Sequence, residues 1–182
     1  MSPPASRRVR PARPADLARI WEMVNALARY ERLERLVTGS SESLGGHLFG
    51  PQPLLECLVL ESDGALSGYA LFFPTYSSFR TRPLMWLEDL YVDPERRGAG
   101  AGRALLEAVA RRALERGCAR LDWILRSARR DPCERRLVSV QPRGGFASRA
   151  GRYVTHYLKG RVRSRAASAP GSSISSRSNT SL

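Results

Sequence analysis

Between positions 97 and 103 the chain reads RGAGAGR, with Gly98, Gly100 and Gly102 alternating with Ala99 and Ala101, and an alanine- and leucine-rich stretch follows at once. Residues without a Cβ let an anionic group approach the backbone closely. Successive N–H groups there make a concave cluster of donors, and the start of a helix adds partial positive charge. The types and their order describe a cradle for a phosphate or diphosphate. A P-loop would need Gly-Lys-Ser/Thr, but Gly102 is followed by Arg103 and Ala104. A dinucleotide fingerprint would need a third glycine where Arg103 stands. The pattern Arg/Gln-x-x-Gly-x-Gly/Ala is met by Arg97, Gly100 and Gly102. The competing reading is a glycine-rich turn that binds nothing.

A cradle of this kind needs a strand to deliver the chain and a helix to lead it away. Leu84 to Val92, LMWLEDLYV, reads as that strand, and Asp93-Pro94 stops it. A helix follows from about Gly100 to Arg116, with Leu105, Val109 and Ala113 on one stripe and Gly117 at its end. Upstream, Val9 to Pro11 suits a short strand. From Pro14 the spacing of Leu17, Ile20, Trp21, Val24, Leu27 and Ala28 predicts an amphipathic helix ending near Leu36. Residues 38–53 read as a loop holding at most a short helix. Leu54 to Leu60 and Gly68 to Phe73 read as two strands joined through Asp63-Gly64, with a loop to follow. CARLDWIL begins one more strand.

Bulk properties bound the class. A chain of 182 residues with 42% hydrophobic content suits one domain with a core. No apolar run is long enough for a membrane span, and the N-terminal stretch lacks an apolar signal core. Cys57, Cys118 and Cys133 share no metal-like spacing, and their odd count speaks for reduced thiols in a cytoplasmic setting. His47 and His156 have no ligand neighbourhood, so no metal site is expected. The net charge of +13 invites a nucleic-acid reading, yet residues 126–182 hold +11 of it and residues 1–125 only +2. That tail has few aromatics and no recognised motif, which ranks nucleic-acid binding low.

The glycine loop resembles the coenzyme A diphosphate loop of the GNAT N-acetyltransferases. VRPARPADLARIWEMVNALARYE, LECLVLESDGALSGYALFFPTYSSF and LMWLEDLYVDPERRGAGAG extend the likeness, over residues 8–123, to the spermidine/spermine N-acetyltransferase branch. The resemblance implies an α/β (α+β) fold with a mixed, mostly antiparallel central sheet flanked by helices. It implies acetyl-CoA as donor, held by the backbone of Leu90, Tyr91 and Val92 and by the loop Arg97, Gly98, Ala99, Gly100, Ala101, Gly102 and Arg103. It places Tyr30, Glu31 and Glu88 beside a small-molecule amine, with Glu88 as the catalytic carboxylate, and it implies a homodimer. The chemistry is consistent: an amine attacks only when neutral, and a nearby carboxylate can hold the ammonium and take its proton. Strand alternation would send Asp89 to the face opposite Glu88. Trp86 and Tyr91 read as packing. Glu31 also reads as a solvated helix residue.

After LDW the likeness stops. The family's Asn, then Phe-Tyr before Gly, is missing: no Asn lies between Asn25 and Asn179, and nothing places Tyr153 or Tyr157. Residues 1–125 read as the acetyltransferase core, 126–160 as a divergent segment without strand or helix period, and 161–182 as a disordered Arg/Ser-rich tail. The abrupt change fits a shift of reading frame near codons 123–125. Coding DNA in which neither other frame spells an Asn…Phe-Tyr segment would exclude that. The competing readings are an impaired acyl-CoA-binding remnant and a divergent tail that binds something acidic.

Overall fold

The structure, a computed structural model, describes residues 7–98, 100–126 and 135–140. Strands β1 (Arg7–Pro11), β2 (Glu56–Ser62), β3 (Ala65–Ser77), β4 (Arg82–Val92), β5 (Leu121–Arg126) and β6 (Arg135–Val140) form one sheet in chain order. All neighbours are antiparallel except β4 and β5. Helices α1 (Leu17–Glu31) and α2 (Ser41–Phe49) lie against one face, and α3 (Ala101–Glu115) lies against the other. This is the mixed, mostly antiparallel α/β arrangement expected.

Alternation along the strands divides the core between the two faces. Val59, Tyr69, Leu71 and Tyr91 point at Ile20, Met23 and Leu48. Leu60, Ala70, Phe72, Met85 and Leu87 point at Leu105, Leu106, Val109 and Ala113. The turn at Asp63-Gly64 takes positive φ at both residues, 53° and 78°, as a tight hairpin requires. The Asp16 carboxylate accepts from the Arg13 N–H and from Arg10, both at 2.7 Å, which ties the entry of α1 to β1.

Several elements differ from the sequence reading, among them β2, which is Glu56–Ser62 rather than Leu54–Leu60. The first helix ends at Glu31 rather than Leu36, because Arg32 turns left-handed (φ 58°) and the Leu33 N–H closes on the Ala28 carbonyl at 2.8 Å. A separate 3-10 turn then covers Glu34–Leu36. The β3–β4 hairpin is longer than expected: both strands run on past Phe73, with Pro74 opposite Met85. Pro74 is tolerated there because β2 has already stopped, at Glu56 opposite Phe72, so one flank of β3 is free. Beyond residue 125, β6 adds a strand where none was expected, with Val138 and Val140 buried beside Trp123 and Leu121. Ala99, residues 127–134 and the expected disordered tail at 161–182 lie outside the described residues.

Gly68 is what lets β3 sit so close to β4. A Cβ there would stand 2.7 Å from the Tyr91 carbonyl oxygen, a backbone atom with nowhere to retreat. Gly68→Ala is therefore expected to destabilise the fold by about 1–3 kcal/mol, read as a lowered Tm in thermal unfolding.

Candidate active site

The site begins where two strands separate. β4 pairs with β5 only from Met85 to Leu87, opposite Leu121 to Trp123. Beyond Leu87 that flank of β4 has no strand partner among the described residues. An extended ligand can add there as a strand does, through backbone hydrogen bonds. Leu90, Tyr91 and Val92 lie on this free length. Tyr91 is also buried in the core, its ring 6.2 Å from that of Tyr69.

A bulge marks the parting. The β3–β4 register passes from Asp89 opposite Leu71 to Leu87 opposite Phe72, leaving Glu88 without a partner residue. The bulge interrupts the simple alternation that would have set Asp89 and Glu88 on opposite faces. Glu88 is exposed, and its carboxylate accepts from the Trp86 indole N–H at 2.7 Å. Asp89 sits deeper and accepts from the Tyr69 hydroxyl at 3.2 Å. Burial, then the charge of Glu88, and last that of Glu31 push the Asp89 carboxyl up from 3.8 to about 6. Burial also holds the Tyr69 hydroxyl well above the usual tyrosine range. Glu31, at the end of α1, is thus within electrostatic reach of β4, which sequence spacing could not show.

Asp89 was not singled out from sequence as a site residue, and the side-by-side Glu88-Asp89 pair was the only signal for it. Its raised pKa carries a sign for stability. The folded state holds this proton more tightly than the unfolded chain, so the group's contribution is favourable at low pH and is lost as pH rises from about 4 through about 6. Asp89→Asn, which still accepts from Tyr69, is expected to raise Tm at pH 7.5 and to leave it nearly unchanged at pH 4.

Past Val92 the chain turns through Asp93 and a 3-10 turn at Pro94–Arg96 into the glycine loop. Two ion pairs fix the turn: Arg19 from α1 meets Asp93 at 2.7 Å, and Arg96 meets Asp63 at 3.1 Å. Gly98 and Gly100 adopt φ of 92° and 81°, which disfavours any residue with a Cβ, and a Cβ at either would enter open space. Gly100 caps α3, whose first N–H groups have no intrahelical acceptor. Open space above left-handed glycines, at the positive end of a 15-residue helix, fits a diphosphate. Ala101 and Gly102 are buried in the first turn. The Arg103 side chain points along the helix to Glu107 at 2.7 Å, so its part in a cradle would fall to its backbone rather than its guanidinium. The Arg97 guanidinium donates through Nε to the Val92 carbonyl at 2.8 Å.

Among the described residues no group of three or more His, Cys, Asp or Glu side chains is arranged to hold a metal ion. Nor is any described helix long and apolar enough to cross a membrane.

Comparison with known proteins agrees with this geometry. The model of the Acetyltransferase (GNAT) family matches residues 20–132. The chain is 39% identical over 132 residues to a thialysine N-epsilon-acetyltransferase of Mus musculus, covering 65% of this chain and 77% of that one. It is 27% identical over 163 residues to an L-ornithine N5-acetyltransferase of Arabidopsis thaliana, covering 65% and 72%. It is 29% identical over 118 residues to a spermidine/spermine N(1)-acetyltransferase-like protein of Homo sapiens, covering 61% of this chain and 17% of that protein. With its opened strand pair and its glycine cradle at the mouth of α3 both inside the matched span, the chain belongs to the GNAT family and is an N-acetyltransferase.

Proposed function

We propose that the protein transfers an acetyl group from acetyl-CoA to the terminal primary amine of a small diamine or diamino acid, by direct attack in a ternary complex. The observation that carries the reading is the cluster of carboxylates where β4 leaves β5, with Glu88 and Asp89 adjacent and Glu31 acting on Asp89. A negative site suits a substrate that arrives as a cation and must lose a proton to react. The relatives point the same way: two of their names specify the side-chain amine of an amino acid, and the third a polyamine.

Each group has a task in this reading. The N–H groups from Arg97 to Arg103 hold the donor's diphosphate. The free flank at Leu90, Tyr91 and Val92 pairs with its extended arm. Acetyl-CoA supplies the acetyl group as an activated thioester: the new C–N bond replaces the C–S bond, and coenzyme A leaves as a thiolate that takes a proton from water. Glu88, exposed at the bulge and oriented by Trp86, takes the ammonium proton directly or through water. Glu31 and Asp89 attract the cation, and a backbone N–H near Leu90 stabilises charge that develops on the attacked carbonyl. Holding both reactants side by side supplies much of the rate. Homodimeric assembly and a cytoplasmic setting belong to the same reading.

One observation favours a second reading, a coenzyme A-binding protein without turnover: the chain has no Asn between Asn25 and Asn179 to fill the family's missing segment. Turnover separates the two. With acetyl-CoA and thialysine, ornithine or spermidine, thiol release and an acetylated product support the transferase. Coenzyme A binding with no product from any amine supports the second reading.

A further inference from the structure

The Arg97 guanidinium carbon lies 4.9 Å from the centre of the Tyr30 ring and 5.7 Å from that of Tyr91. Its Nε is committed to the Val92 carbonyl at 2.8 Å. The remaining N–H donors of this guanidinium, on its two terminal nitrogens, have no acceptor among the described residues. An arginine fixed through its π-face and one N–H, with its outer donors unused, is prepared for an anion. Tyr91 is held in the core, whereas Tyr30 is half-exposed at the last turn of α1. Tyr30 is therefore a wall of this arrangement that belongs to another element and can be removed without opening the core.

We propose that Tyr30 is a positioning residue for the donor half of the site. Its ring holds Arg97 at the edge of the glycine cradle, so that Tyr30 reports on the diphosphate of coenzyme A and not on the amine. The sequence likeness had set it beside the amine. The inference rests on the reading of the cradle as a coenzyme A site. It makes α1 bifunctional at its end: Tyr30 serves the donor, and the next residue, Glu31, acts electrostatically on Asp89.

The test measures coenzyme A affinity of the full chain by calorimetry, without turnover, for wild type, Tyr30→Leu, Tyr30→Phe, Arg97→Gln and the Tyr30→Leu/Arg97→Gln pair. Tyr30→Leu is expected to weaken binding about five-fold, the worth of one partly exposed cation–π contact. Tyr30→Phe keeps the ring and should restore affinity to within about two-fold. In the Arg97→Gln background Tyr30→Leu should add nothing, because the group it positions is gone. Thermal unfolding of Tyr30→Leu should match wild type, which separates positioning from folding. Unchanged coenzyme A affinity in Tyr30→Leu, or an equal loss with and without Arg97, overturns the proposal. A wild-type chain that takes up no coenzyme A overturns instead the reading on which the proposal stands.

Discussion

Gly100→Val is expected to lower coenzyme A affinity about a hundred-fold, a cost of about 2.7 kcal/mol. Two effects act together. At φ 81° a β-branched residue is strained, so the loop moves to relieve it and the first N–H groups of α3 turn away. The added side chain also fills the open space above Gly100, where a diphosphate would lie. Gly100→Ala, which adds one carbon, should fall between Val and wild type. Gly46→Ala serves as the control, since a Cβ at that helical position also meets nothing and its helix is far from the cradle in sequence. Equilibrium binding of coenzyme A reads the effect, and circular dichroism checks that the sheet persists. Full affinity in Gly100→Val would remove the basis for the whole functional reading.

The second large effect is expected at Glu88. Glu88→Gln keeps a carbonyl oxygen to accept from the Trp86 indole, so the bulge has no reason to rearrange. What it loses is charge and basicity. A drop in kcat of about 10²–10³-fold is expected, the usual worth of a positioned base, with KM for acetyl-CoA little changed. Asp89→Asn should behave differently. Because its carboxyl is pushed up to about 6, wild-type kcat/KM for the amine should fall as pH drops through that value and a nearby negative charge is lost. Asp89→Asn should flatten that limb while keeping most of kcat. Rate profiles between pH 5 and 9 for both variants decide the matter. If Glu88→Gln turns over normally while Asp89→Asn does not, the two carboxylates exchange roles.

Much of the backbone frame around the candidate site is legible in the residues alone. The glycine loop, the Asp93-Pro94 stop and the α3 stripe are local signals, each fixed by residues within one turn of one another. They set the end of β4, the turn and the start of α3 where the structure has them, because a strand end, a stop and a helix start leave the chain little freedom. The parts that were not visible are those decided by distant partners. No glycine marks the end of α1. Arg32 takes a conformation that sequence disfavours, and the Leu33 N–H closing on Ala28 completes the stop. The bulge at Glu88 depends on how β3 meets β4, so the alternation of Leu87, Glu88 and Asp89 gave the wrong expectation for Asp89. β6 was missed because RRLVSV is short and set in an arginine-rich context, and only its pairing with β5 shows that Val138 and Val140 face inward. The contact of Tyr30 with Arg97 joins residues far apart in the chain, which no spacing rule reaches.

A strand with an unsatisfied flank is ordinarily a hazard, since any other sheet can bond to it. Here the flank faces the side on which β5 pairs with β4. β5 rejoins β4 at Met85–Leu87, and β6 extends the sheet further out. A foreign strand would have to enter on the side where β5 already occupies the edge of β4 at Met85–Leu87. A slender, freely rotating chain carrying amides can thread in without that penalty. In the proposed reading the same parting of two strands admits the arm of the donor and disfavours the polymeric association that an open edge at the rim would invite.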